Sequence, residues 1–369
     1  MNQTLVQRRE KSATEERSVG NNNSWIVAPG VWRLKDIFVN VYIIQNRERT
    51  DWVLVDTGLK STASKIRSLA SSLFGGSGSR PKAIIMTHAH FDHRGSLLEL
   101  AEEWGTPVYC HHMERPYLTG QSSYPPADPS VGGGMMSLLS FTYPKGPINA
   151  SEYLKELPSD GTVPELEDWK WIHTPGHTPG HISLFREKDG LLIAGDAFVT
   201  TMQESVLAVA TQKEFVCGPP KYFTPDWGAA ARSVKELAAL EPNIMATGHG
   251  HAMYGDLARK ELHKLSREFW KRGMPATGRY VKEAAAFDEN GKPVHIPSAK
   301  GVLIKKIAIA AALFALGYLI SRQRKNTKGI SKLATGQLGS ALKSSALVAL
   351  GATAAASPAL PSIPLIPAI

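Results

Sequence analysis

Thr87-His88-Ala89-His90-Phe91-Asp92-His93-Arg94-Gly95 follows a wholly apolar run, Ala83-Ile84-Ile85-Met86, and leads into a helical pattern over residues 96–104. Three imidazoles and a carboxylate within six residues at a strand's end cannot all face a hydrophobic core, because buried polar groups without partners are costly. A divalent metal gives them a reason to converge, since neutral imidazole and carboxylate suit zinc and similar first-row ions. A solvated histidine-rich loop is the plain alternative. It fits one or two such residues better than four at this spacing.

The same grammar recurs downstream. Thr174-Pro175-Gly176-His177-Thr178-Pro179-Gly180-His181 follows a strand-like run at 169–172, and Gly195-Asp196 follows an apolar run at 191–194. Thr247-Gly248-His249-Gly250-His251 follows another at 243–246. In each case glycine, which allows close backbone approach, stands beside a ligand-type side chain. Strands are also expected at 41–44, 52–55, 107–110 and 182–185, and helices over 60–73, 229–240 and 256–271. Strands and helices mix in both halves, which gives an α/β or α+β fold. Residues 113–160 have little periodicity and carry Tyr117, Tyr124, Phe141, Tyr143 and the pair Met135-Met136. A long irregular segment of this kind is read either as a substrate lid or as a surface insertion. The two cysteines, Cys110 and Cys217, lie far apart with no C-x-x-C partner, which excludes a disulfide framework and a thiolate zinc site.

Together with Val55-Asp56-Thr57-Gly58, the His88–His93 cluster, His177, Asp196 and His249 resemble the metallo-β-lactamase superfamily, over about residues 25–271. The resemblance implies a four-layer αβ/βα sandwich in residues 25–272 and a centre of two divalent metal ions, zinc in the first instance and iron or manganese otherwise. By the same resemblance His88, His90 and His177 hold the first ion, Asp92, His93 and His249 the second, and Asp196 bridges them. Asp56 orients the ligands from behind, and His173 and His181 serve as hydrogen-bonded supports. Asp92 is the expected catalytic residue, orienting a hydroxide generated between the metals and passing a proton to the leaving group. The implied activity is hydrolysis of an ester, lactone or thioester carbonyl in a small-molecule substrate. The alternatives are a mononuclear iron persulfide-dioxygenase-like oxidoreductase using His88, His177 and Asp196, a phosphodiesterase, and a non-enzymatic metal-binding scaffold. No G-x-S-x-G nucleophile elbow competes with the metal chemistry. Tyr222 is read as packing its loop, and His251 is expected near the site entrance.

Charge separates the body from the tail. The chain carries 42 Lys+Arg, 33 Asp+Glu and a formal charge of +9. Residues 300–369 hold nine of the basic residues and no acidic one, so residues 1–299 are balanced at 33 against 33. A neutral body disfavours nucleic acid as a partner. Residues 1–24 are polar and expected as a disordered arm without a signal-type apolar stretch, which points to the cytoplasm. Residues 273–299 read as a linker with some local structure, at Glu283-Ala284-Ala285-Ala286. Residues 302–320 are apolar apart from Lys305 and Lys306 and would span about 28 Å as a helix. With the basic residues after them, they are read as a membrane anchor contacting lipid, a candidate transmembrane helix, with a helix packed against the body or a second subunit as the alternative.

Overall fold

Strand β4 (Val39–Gln45) explains the layering, because Val39 to Ile44 are buried on both of its faces. Val41 and Ile43 point into one core and Tyr42 and Ile44 into another. A strand with two buried faces must lie between two other layers. The computed structural model describes residues 15–19, 23–76 and 78–299, and places this strand within an eight-stranded sheet. That sheet runs β1 (Arg17–Ser18), β2 (Ser24–Ala28), β3 (Val31–Asp36), β4, β5 (Trp52–Val55), β6 (Ala83–Ile85), β7 (Val108–Cys110) and β8 (Leu154–Glu156). Neighbours are antiparallel as far as β5 and parallel from β5 to β8.

The second sheet has the order β14-β13-β12-β11-β10-β9. Its strands are β9 (Thr162–Val163), β10 (Leu166–His173), β11 (Ile182–Arg186), β12 (Leu191–Ile193), β13 (Ile244–Ala246) and β14 (Met253–Tyr254). Trp169, Leu184, Ile193 and Ala246 from this sheet meet Val31, Ile44, Val55 and Ile85 from the first. Helices cover both outer faces. Helices α1 (Ala63–Phe74) and α2 (Leu97–Trp104) bring Ile66, Leu69, Leu97 and Leu100 against the first sheet. Helices α3 (Trp227–Ala239) and α4 (Gly255–Arg267) bring Val234, Leu237, Leu262 and Leu265 against the second. Asp226 starts α3 by accepting the Ala229 N–H at 2.9 Å. The result is the expected four-layer sandwich.

Two boundaries differ from the sequence reading. Residues 15–19 do not behave as a disordered arm: Arg17 and Ser18 pair with Ile26 and Trp25, and Glu16 forms an ion pair with Arg33. The buried guanidinium of Arg33 needs a counter-charge, and Glu16 supplies it. The local structure expected within residues 273–299 is packed onto the body and not left as a spacer. Tyr280 and Ala285 are buried in the outer core of the second sheet, and a hairpin of β15 (Ala286–Phe287) and β16 (Pro293–His295) follows. The Tyr117 hydroxyl donates to the Gly291 carbonyl and ties that hairpin to the body. The rest of the arm, 1–14 and 20–22, and the basic tail 300–369 with its 302–320 anchor lie outside the described residues. Among the described residues no helix is long and apolar enough to cross a membrane.

Residues 113–160 are more deeply built in than a lid or an insertion. Glu114, Tyr117, Leu118 and Tyr124 are buried, and β8 extends the first sheet. The middle of the segment is more exposed, with Met135 at 59% and Phe141 at 39%.

Candidate metal centre

The candidate ligands stand on loops at one edge of the sandwich, after β6, between β10 and β11, after β12 and after β13. Backbone hydrogen bonds stitch these loops together. Ile182 N–H donates to Thr87 O at 3.0 Å, Gly248 N–H to Gly195 O at 2.8 Å, and Asn40 N–H to Gly248 O at 2.8 Å. Gly248 is required by crowding: a Cβ there would lie 2.0 Å from Asp196 Oδ1 and 2.8 Å from His93 Cε1. This is the physical content of the repeated glycine beside a ligand.

All seven residues singled out as ligands are buried and converge. Three sets of donor atoms each fall within 4.8 Å of one another: His88, His90 and His177; His88, His93 and Asp196; and Asp92, His93 and His249. His90 Nδ1 and His177 Nε2 are 2.9 Å apart. Asp196 Oδ2 lies 3.5 Å from His177 Nε2, 3.6 Å from His93 Nε2 and 3.1 Å from His249 Nε2, so it reaches into both clusters. Asp92 Oδ2 lies 3.6 Å from His249 Nε2. His88 Nε2, His93 Nε2 and Asp196 Oδ1 are buried without any hydrogen-bond partner. Orphaned donor atoms pointing at one another are expected where an ion completes the set, and the all N/O chemistry suits a divalent metal.

The electrostatics of the first cluster agree with that fit, whereas the charge of Asp196 raises His93 and His249 against the burial that would lower them. Burial, reinforced by neighbouring imidazoles, holds His88 and His90 well below the ordinary histidine range. Burial likewise takes His177 down to about 3. All three are therefore neutral at neutral pH and offer the lone pair that a metal requires. Burial would raise Asp196, but the charges of His249 and His93 and the hydrogen bond from His249 outweigh it and keep the carboxylate ionised. Asp92 moves the other way, raised chiefly by burial.

Behind the ligands is a set of supports. Asp56, held at a left-handed φ of 60°, accepts the Thr87 N–H at 2.8 Å and the Thr87 hydroxyl at 2.7 Å. Its Oδ2 also lies 2.8 Å from His93 Nδ1, which leaves His93 Nε2 facing the cluster. His181 Nε2 accepts the Asp196 N–H at 2.9 Å, so it fixes a ligand loop as the sequence grammar suggested. His173 lies farther out, stacked on His111 with ring centroids 4.2 Å apart, and bonds the Pro179 carbonyl at 2.8 Å. Cys110 and Cys217 are free, and burial raises both thiols.

Sequence reasoning missed Glu114. It is fully buried and joins the two histidine loops, accepting the Ala89 N–H at 3.0 Å, the Thr178 hydroxyl at 2.7 Å and the Gly180 N–H at 2.9 Å. The Tyr124 hydroxyl also donates to it. Its only signal is position, just past the His111-His112 pair that follows β7. An aromatic wall stands beside the ligands and uses two of the tyrosines singled out in residues 113–160: Tyr124 and Phe223 each lie 4.5 Å from the His90 ring, and Tyr143 lies 5.6 Å from Phe91 and 5.8 Å from Tyr222. Tyr222 is buried, and burial together with Asp92 keeps its phenol protonated.

The family model described as "Metallo-beta-lactamase superfamily" matches residues 34–249. A relative named "Probable metallo-hydrolase YflN", from Bacillus subtilis, is 46% identical over 250 residues, covering 68% of this chain and 94% of the relative. A second, "Probable metallo-hydrolase YybB" from the same organism, is 27% identical over 218 residues, covering 59% and 83%. Among solved structures, a metallo-beta-lactamase family protein from Thermus thermophilus aligns with a TM-score of 0.45 at 21% identity, over 66% of this chain and 80% of that one.

Proposed function

The chain belongs to the metallo-β-lactamase superfamily and is a metallo-hydrolase, and from that premise we propose that it cleaves an ester, lactone or thioester carbonyl of a small molecule with two bound divalent ions. The observation that carries the reading is the convergence of seven buried ligand-type side chains in overlapping sets, with His88 Nε2, His93 Nε2 and Asp196 Oδ1 left unpartnered. In this reading His88, His90 and His177 hold one ion, Asp92, His93 and His249 hold the other, and Asp196 serves both. Bound there, the ions would supply Lewis acidity and a water acidified to near neutral pH.

The chain's own groups supply the rest. Asp92 orients the attacking water, and its raised pKa favours taking a proton from it, which then passes to the leaving group. Water adds to the carbonyl carbon, the bond to the leaving oxygen or sulfur breaks, and an acid and an alcohol or thiol result. Tyr222, protonated and within the field of Asp92 and Asp196, can donate to a substrate oxygen. Phe91, Tyr143 and Phe223 offer aromatic surface to an acyl-bearing substrate. Arg94, the guanidinium that follows the ligand motif, is engaged by the Ala89 carbonyl at 2.6 Å and by the Gly146 carbonyl. Its use as backbone support favours a carbonyl substrate over a phosphodiester. Cytoplasmic residence, with residues 302–320 contacting lipid, is the accompanying proposal for the whole chain.

A hydrolysis panel on metal-loaded protein tests the reading, using lactones, thioesters, esters, phosphodiesters and β-lactams. Turnover of carbonyl substrates is expected. Turnover confined to phosphodiesters, or to none of the panel, would overturn it.

A further inference from the structure

The His249 loop is gripped from outside the ligand set by one hairpin, β3–β4. Ile37, a β-branched residue at φ 54°, makes its tight turn and presents the Phe38 carbonyl, 2.7 Å from His249 Nδ1. That contact fixes the imidazole so that Nε2 faces the metal cluster. Asn40 Nδ2 donates to Thr247 O at 2.8 Å and to Gly250 O at 2.7 Å, and the Tyr42 hydroxyl donates to Thr247 O at 2.7 Å. Asn40 is itself oriented, because its Oδ1 accepts from Arg33 Nη1 at 2.9 Å.

Arg33 is completely buried, with its guanidinium 4.1 Å from the centre of the Trp25 ring. Its counter-charge comes from far away in sequence. Glu16 takes Arg33 Nε at 2.7 Å and Nη2 through its other oxygen, a two-point pairing of carboxylate and guanidinium. The same carboxylate accepts the Ala252 N–H at 3.0 Å and lies 3.0 Å from His251 Nδ1. Glu16 therefore touches the far end of the 247–252 loop directly and reaches its near end through Arg33 and Asn40. The opposite cluster of ligands, His88, His90 and His177, has no part in this network; Glu114, Thr224 and Thr87 contact it or the loops that carry it.

We propose that Glu16 is a positioning residue for the metal held by Asp92, His93 and His249, acting through Arg33 and Asn40 to hold the His249 loop. The proposal rests on the two-metal reading above. Without Glu16 the buried guanidinium loses its counter-charge and must take up water or turn outward, which frees Asn40 from its orientation. The loop then relaxes while the first ligand cluster stays braced. Metal affinity should fall in one half of the centre only.

The test uses the full chain, stripped with chelator and titrated with Zn²⁺ by calorimetry against a competing chelator, with far-UV circular dichroism as the check on fold. Wild type should bind two equivalents. Glu16→Gln should bind the first as wild type does and the second at least about tenfold more weakly, the scale of lost outer-shell support. Glu16→Asp, which keeps the charge but shortens its reach, should weaken the second step less, and it decides the matter by the same criterion if Glu16→Gln does not fold. Equal weakening of both steps, or an unchanged second step, would overturn the proposal. A wild-type chain that binds a single equivalent would instead overturn the two-metal reading.

Discussion

The two halves of the metal centre are braced by opposite means. Behind His88, His90 and His177 stands Glu114, a carboxyl that spans the two histidine loops, fully buried and faced by neutral donors. Behind His93 and His249 the support is polar and charged: Asp56 on one ligand, the Phe38 carbonyl on the other, and the Glu16–Arg33 pair beneath the second loop. The difference follows from the partners. Glu114 is met by the neutral donors of Ala89, Thr178, Gly180 and Tyr124, whereas Glu16, itself largely shut in, has the Arg33 guanidinium to balance its charge. One half should therefore respond to the protonation of its support, and the other to loss of charge or orientation.

The largest effect expected is on the ligands themselves. His88→Ala should remove the first-half ion and reduce turnover by at least about 10³-fold, the loss expected when the main electrostatic stabiliser of a transition state goes. His249→Ala should remove one equivalent from the other half. Elemental analysis of each purified variant separates the two cases from a loss of fold. If either variant keeps both ions and full turnover, its residue is not a ligand and the division into halves fails.

Glu114 gives the next largest effect, as a pH dependence of stability. Burial pushes its carboxyl from the ordinary 4.5 up to about 7, against four hydrogen bonds that favour the charged form. The folded chain thus holds a proton that the unfolded chain has released between those values. Its contribution is fully present below pH 4.5 and is lost as pH rises through 7, about 3 kcal/mol in all. Glu114→Gln has no such proton. Its amide can donate to the Tyr124 hydroxyl, which still accepts the Ala89 N–H at 2.9 Å. Urea unfolding of metal-free protein from pH 4.5 to 8 should therefore show the variant gaining on wild type as pH rises. Parallel curves would mean that Glu114 is ionised throughout, and the contrast between the halves would disappear.

The ligands were legible in the sequence because each sits beside a glycine or a second histidine just past an apolar run, and Gly248 shows why: no Cβ fits between Asp196 and His93. The layers were legible where strands are continuous in apolar residues, as at Ile84 and Leu192, whose neighbours face the opposite core. The supports were not. Glu114, Asn40, Arg33 and Glu16 are ordinary polar residues whose burial depends on partners as much as 236 residues away, as in the Glu16–Ala252 contact. Strand β3 was missed for a related reason: Arg33 and Lys35 break the apolar pattern, although Arg33 is buried by pairing with Glu16. Local periodicity has no access to a charge that is neutralised by tertiary contact.

Asp56→Asn sharpens the comparison from the second half, with a smaller expected effect. Asparagine tolerates the left-handed φ of 60° at this position, so the backbone turn survives and only the charge is changed. The amide oxygen can still accept one bond from Thr87, but an Nδ2 facing His93 Nδ1 would donate where the carboxylate accepts. The neutral imidazole then places its proton on Nε2, the nitrogen that faces the cluster, and must shift it to Nδ1, against the amide donor, for a metal to bind. Affinity for the second equivalent should drop by about 10–100-fold while the first is retained. Binding of that equivalent should also become less steeply dependent on pH, because the Asp56 carboxylate that helps to raise His93 is gone and less of the imidazole must lose a proton when the metal arrives. Titrations at two pH values measure both effects; an unchanged second step would mean that His93 is held by packing against His88, 4.1 Å away between ring centres, and needs no carboxylate behind it.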